Sequence, residues 1–354
     1  MIFSVLLLLL RYLKNLNLKK YLLQLAFFVA FVLIMLPLSR KLILPYYWGA
    51  EGFAYKIRHI EQNQLQPDIY FVGPSTVMRH IMPSVFDSDI GNRYSSFNLS
   101  QDGSYPQHDI HIFKNFIKKN RGQIKYAFFE MNSLDKFGKM RYHTTYSKYH
   151  TSLKSLLLGL QYVKFAPIDN KLKKETQKKY LVSFIEKFFN VGMRKDIAKY
   201  ISNRGHIAKF MIGKKGDGFL PVPNNKKNNA MLGAQLSNTV ANKKKAIQNQ
   251  DTNDYNPALL KLYSDNIAYL KNKGIHAIYI LPPKKPLFDS ELQILNVFKR
   301  LPDEHKIDLS NPNKYPQFYA KESRFDFGHL NVEMAKEYTK YLALDFLELE
   351  NKLN

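Results

Sequence analysis

The residues able to do chemistry in this chain fall in four short segments. Asp326-Phe-Gly-His329 sets a carboxylate three residues before an imidazole. In a loop, that carboxylate can fix the tautomer of the imidazole, which can then take a proton from a hydroxyl. The hydroxyl is Ser75, in Gly73-Pro-Ser-Thr76, directly after the apolar run Ile69-Tyr-Phe-Val72. A neutral serine is a poor nucleophile, so it needs such a base. Attack on a carbonyl builds negative charge on the substrate oxygen. The backbone N–H groups of Ser75 and Gly103 and the side-chain amide of Asn132 would stabilise it. Gly103 suits that role because no side chain blocks approach. The chemistry expected is nucleophilic acyl transfer. Ser75, Asp326 and His329 would be catalytic, and Ser75, Gly103 and Asn132 would form the oxyanion hole.

Taken singly, each residue has a plainer reading. Ser75 or Thr76 would cap a helix, Asp326 and His329 would staple a loop, and Gly103 and Asn132 would be turn residues. Their joint order on one alternation of strands and helices favours catalysis. His80, His108 and His276 have no acids at ligand spacing and are read as non-catalytic. No metal site and no cofactor is expected.

Elements must hold these residues together. Runs rich in Val, Ile, Tyr and Phe predict strands over 68–72, 95–99, 124–131, 275–281 and 305–309. Helical spacing predicts a short helix over 77–87 interrupted at Pro83, and another from a Ser104 cap with Pro106 in its first turn. Further helices are expected after Asn256-Pro257, over 288–300, and after an Asn331 cap. This alternation predicts an α/β fold: a three-layer α/β/α sandwich on a five-stranded parallel sheet, flavodoxin-like, in strand order 2-1-3-4-5. One long insertion, 139–254, interrupts it, with helices at 153–162 and 180–189. Within it, 214–254 lacks periodicity and is expected as loop, except that 216–221 could fold back over the sheet edge.

The N-terminus adds a membrane expectation. Residues 21–38 (YLLQLAFFVAFVLIMLPL) carry one Gln and no charge, and eighteen helical residues span roughly 27 Å. Arg11, Lys14, Lys19 and Lys20 precede the run, so the N-terminal side (1–20) should be cytoplasmic and the body exported. Tyr46, Tyr47 and Trp48 read as an interfacial aromatic belt, and no small-x-small cleavage pattern follows Leu38. The apolar 2–10 run is too short to span. Residues 39–66 would be linker, and 67–354 the domain.

Composition sets the boundaries. With 354 residues and 45% apolar content a large core is possible; with no cysteine, disulfides and thiolate metal sites are excluded. The net charge of +24 suggests anionic surroundings, or merely a lysine-rich composition. No nucleic-acid motif accompanies it, so nucleic acid is not an expected partner.

The segments FVGPST, FNLSQDGSYP, ILPP and FDFGHLN together resemble the SGNH (GDSL-like) hydrolase superfamily. Within it the chain is similar to the membrane-anchored cell-envelope branch, including DltD-like D-alanyl transfer proteins and alginate O-acetylation proteins. The resemblance covers roughly 68–132 and 256–347 and leaves out the insertion. Pro74 departs from the usual Asp or Ser, and Glu130-Met-Asn132 from the usual Gly-x-Asn-Asp. The resemblance implies O-acylation of an envelope glycan through an acyl-serine, the acyl donor arriving through a membrane-bound O-acyltransferase partner at the inner membrane. An esterase of the same fold and a silent glycan-binding scaffold are the alternatives.

Overall fold

A computed structural model describes residues 18–43, 45–120, 122–134, 150–189, 202, 209–222, 232–248, 253–283 and 289–353. Five strands, β1 (Ile69–Val72), β2 (Ser96–Asn98), β3 (Tyr126–Glu130), β4 (His276–Leu281) and β5 (Lys306–Asp308), form one sheet in the order β2-β1-β3-β4-β5. Every pairing is parallel.

Eleven helices accompany it among the described residues. They are α1 (Leu18–Ile43), α2 (Glu51–Gln62), α3 (Ser75–His80), α4 (Pro83–Asp89), α5 (Pro106–Lys119), α6 (Leu153–Lys164), α7 (Asn170–Phe188), α8 (Leu232–Gln248), α9 (Pro257–Lys271), α10 (Asp289–Arg300) and α11 (Val332–Leu353).

Alternation along the strands builds a core on each face. Tyr70, Val72, Ala127, Phe129 and Tyr279 turn to one face and meet α2, α5 and α9 through Phe53, Phe113 and Tyr263. Ile69, Phe71, Phe128, Ile278 and Ile280 turn to the other and meet α4 and α11 through Phe86, Leu342 and Phe346. The strands end in register, Val72 beside Phe129, Glu130 beside Ile280 and Leu281 beside Asp308. Loops leaving these carboxyl ends therefore converge, as ligand-binding loops do in open parallel sheets.

The structure changes several local expectations. Residues 232–248 are helix, not loop: Leu232, Leu236, Thr239 and Lys243 are buried at helical spacing. That stripe is thin and diluted by Asn and Lys, which hides its period. Ser104 does not cap α5, since Tyr105 holds that position and the Ser104 hydroxyl donates to Asp109 Oδ2 at 2.9 Å. Inside the 39–66 segment, α2 buries Phe53, Lys56, Ile57 and Ile60. Tyr47 and Trp48 are buried too, rather than presented to a bilayer, and Tyr47 shares a core cluster with Phe53, Ile57 and Ile60 of α2. Helix α1 contains the 21–38 run, with Leu22, Leu25, Phe27 and Phe28 exposed. Among the described residues no helix is long and apolar enough to cross a membrane, so the expected span is not established by the fold. The 2–10 run and parts of the insertion (139–149, 190–201, 203–208 and 223–231) lie outside the described residues.

The 209–222 segment borders the sheet at its β2 edge. Asn98 N–H donates to Asp217 O at 2.9 Å, and Leu220 N–H donates to Met78 O in α3 at 3.1 Å. Covering an edge strand removes a row of unpaired backbone groups. Here it also ties the insertion to the helix that begins with Ser75.

Candidate active site

The serine turn is built by what the sequence forbids. β1 is buried throughout, and Pro74, extended at φ −79° and ψ −164°, takes the N-cap position of α3 without any side-chain cap bond. The cap reading of Ser75 and Thr76 therefore fails. A Cβ on Gly73 would sit 2.5 Å from Val77 Cγ2 and 3.3 Å from Glu130 Cβ. Only glycine lets the turn close so tightly against β3. Thr76, freed from capping, donates its hydroxyl to the buried Glu130 carboxylate.

Across the site, Phe325 and Asp326 N–H both donate to His329 O, and Arg324 bridges Leu330. This tight loop folds the Asp326 side chain back on itself. Asp326 Oδ1 accepts the N–H groups of Gly328 at 2.7 Å and His329 at 2.8 Å. His329 Nδ1 lies 3.0 Å from Oδ1 and 3.1 Å from Oδ2. A carboxylate there selects the Nδ1–H tautomer and leaves Nε2 as an acceptor. Nε2 lies 2.9 Å from Ser75 Oγ. Ser75, His329 and Asp326 thus form one continuous relay, although 254 residues separate the first two.

Burial pushes the Asp326 carboxyl up, but the hydrogen bond and charge of His329, with the two backbone N–H groups, outweigh it and hold the group below the usual carboxylate range. The stability it contributes is present above that ordinary range and is lost as pH falls through the lowered value.

A second layer of residues, not singled out by motif, fixes the first. His80 Nε2 accepts Leu330 N–H at 2.9 Å, and its ring meets His329 edge-on at 6.1 Å. Arg324, 3% exposed, donates to Pro283 O at 2.6 Å and Phe318 O at 2.8 Å, stapling the end of β4 to the histidine loop. Burial lowers the Arg324 guanidinium to about 10. Asn98 Nδ2 caps the carbonyls of Val77 and Ile81 at 2.9 and 2.8 Å, holding α3 from the β2 side. Isolated buried polar residues such as these have no sequence period, which is why only the structure identifies them.

His80 is a positioning residue. We expect His80→Phe to strand the Leu330 N–H and cost about 1–3 kcal/mol. Covalent capture of Ser75 should slow about tenfold, since a reacting pair is sensitive to small misplacement. His80→Gln, which restores an acceptor, should recover most of the rate. Equal rates for Phe and Gln, measured at matched stability, would show that the bond to Leu330 is immaterial.

The two remaining expected residues stand nearby without touching the relay. Gly73 O accepts Gln101 N–H at 3.0 Å, so the turn carrying Gly103 is tied to the serine turn. Gly103 is exposed and left-handed at φ +69°, a conformation that suits glycine. Among the described residues neither Ser75 N–H nor Gly103 N–H has an acceptor in the chain. Asn132 is 7% exposed, and its backbone is held by the Tyr263 hydroxyl, which accepts Asn132 N–H at 3.0 Å and donates to Asn132 O at 2.7 Å. Asn132 Oδ1 accepts Ser133 N–H at 3.0 Å, which orients its amide. No hydrogen bond joins Gly103 or Asn132 to Ser75, His329 or Asp326. Among the described residues no group of three or more His, Asp and Glu is arranged to hold a metal ion. The chain matches no protein-family model, and none of the curated proteins compared with it matches either.

Proposed function

We propose that the chain is an SGNH-type serine acyltransferase, held at a membrane by its N-terminal helix, that moves an acyl group through Ser75 onto a hydroxyl of an envelope glycan. The observation that carries this reading is the relay from Ser75 Oγ through His329 to the Asp326 carboxylate. Ser75 Oγ attacks the acyl carbonyl of the donor while His329 Nε2 takes its proton. Asp326 stabilises the imidazolium that forms. The carbonyl oxygen, now an oxyanion, is met by the N–H groups of Ser75 and Gly103 and the amide of Asn132. His329 returns the proton to the leaving group, and an acyl-serine remains. An acceptor hydroxyl then gives its proton to His329 and attacks the acyl carbon, and the departing Ser75 Oγ takes that proton back from His329.

The net charge of +24 supports an anionic polymer or lipid environment, and the exposed apolar side chains of α1 support an anchor. With the lysine-rich 1–20 segment on the cytoplasmic side, the domain would be exported. The donor would come through a membrane-bound O-acyltransferase. Incubation of membranes with a labelled acetyl donor tests the reading. Label should pass through the Ser75 peptide into a base-labile glycan ester. Free labelled acetate alone, with no glycan ester, would make the protein an esterase instead.

A further inference from the structure

Helices α6 and α7 form an antiparallel hairpin on the insertion. Lys187, near the end of α7, donates to Thr151 O, just before α6. Gly159 gives the crossing its closeness, since a Cβ there would lie 2.5 Å from the Tyr180 ring. Thr176, Tyr180 and Ser183 are the buried side of α7.

The opposite side of α7 has a distinct order. Lys171, Lys174 and Lys178 are exposed over its first half. Leu181, Ile185 and Phe189 continue the same steps of three and four, and are 45%, 53% and 52% exposed. Val182 flanks them at 36%. On α6, Leu153 and Leu157 are 59% and 58% exposed, but they stand roughly 120–160° around that helix from Gly159, which faces α7, and so belong to a different side of the hairpin. Leu181, Val182, Ile185 and Phe189, four large apolar side chains exposed together at one end of a single helix, are too many to be scattered surface residues. Lysines surround them: from 153 to 189 the chain holds eight Lys against Asp169, Glu175 and Glu186.

We infer that the outer side of α7 docks on an anionic lipid surface, with Leu181, Ile185 and Phe189 entering the interface and Lys171, Lys174 and Lys178 among the phosphates. Lysine stems lie along apolar surface while their ammonium groups reach the headgroups. A basic helix with Leu and Phe on its contact side binds such a surface by apolar burial and by charge together. A protein partner would need matching acidic groups, whereas an anionic bilayer offers both components over any area. The inference is independent of the acyl chemistry, and it gives the insertion a second point of contact that would set the domain's tilt on the membrane.

The full chain has no cysteine, so a single introduced thiol is unique. Ile185→Cys and Leu181→Cys, each carrying an environment-sensitive fluorophore, would be reconstituted into vesicles of phosphatidylcholine alone or with an equal share of phosphatidylglycerol. In the anionic vesicles both labels should shift to the blue and be quenched by lipid-borne nitroxide. High salt should weaken the effect, and Lys174→Glu with Lys178→Glu should lower the shielded fraction by roughly threefold or more. Labels that stay wet in anionic vesicles overturn the inference. So do labels already shielded in detergent and indifferent to lipid, which would mean that the face is covered by protein. Fluorophosphonate capture at Ser75 in the same samples reports the folded site separately, so loss of docking and loss of chemistry are read apart.

Discussion

Ser75→Ala should abolish covalent capture by a fluorophosphonate, and His329→Ala should slow it by on the order of 10³-fold. The argument rests on one short path. Ser75 Oγ has His329 Nε2 at 2.9 Å, and the imidazole has the Asp326 carboxylate at 3.0 Å on its other nitrogen. A hydroxyl so paired gives up its proton during attack, and an unpaired one does not. Asp326→Asn should be intermediate, roughly 10²-fold slower. Its amide oxygen can still accept the Gly328 and His329 N–H groups, so the loop keeps its shape, but the carboxylate that holds the Nδ1–H tautomer is gone. Peptide mapping of the labelled chain decides the site. Label retained in Ser75→Ala would place reactivity on another hydroxyl. If Ser75→Ala supports undiminished glycan acylation in cells, the domain acts as a scaffold and the relay is incidental.

The sheet was legible because its strands are short, apolar and bounded by Gly, Pro and Asn. Alternation with helices then leaves few topologies for five parallel strands. The relay was legible for a different reason. An Asp three residues before a His, in a turn before a helix, forms its pair locally, so sequence distance already implies spatial distance. The approach of Ser75 to that pair depends on the whole sheet, and sequence supplied it only through the order of the elements. What sequence did not supply is tertiary in origin. Arg324 reaches Pro283 across 41 positions, and His80 reaches Leu330 across 250. Helix α8 was missed because its apolar stripe is interrupted by lysines, one of which, Lys243, is itself buried. Helix caps divide similarly. Asn256 accepts from Ala258 and Leu259 N–H and Asn331 accepts from Met334 N–H, as local chemistry requires. Ser104 instead serves Asp109, a choice between two nearby partners that spacing alone does not make.

Lys56→Met should stabilise the fold at acid pH and weaken it at alkaline pH, so that the two stability curves cross. Lys56 is 0% exposed, and its Nζ donates to Ser100 O at 2.8 Å. Burial of the ammonium lowers its pKa from 10.5 to about 7, with Asp217 opposing the shift. Between those values the unfolded chain holds a proton that the folded one has released, so stability rises with pH through that window. Below about 7 both states are protonated and the folded state carries the full cost of the buried charge, on the order of 3–5 kcal/mol. Methionine keeps the stem's packing and removes that cost. It also strands the Ser100 carbonyl, a loss of about 1 kcal/mol that persists at every pH. Urea unfolding in detergent at pH values on either side of the window measures both contributions. Parallel curves would mean that Lys56 keeps its proton throughout, held by Asp217. The functional consequence follows from where Ser100 lies, three residues before Gly103 in the turn tied to the serine. If that turn supplies an oxyanion donor, Lys56→Met should slow capture of Ser75 several-fold even where it stabilises the protein, separating the lysine's cost to folding from its hold on the site.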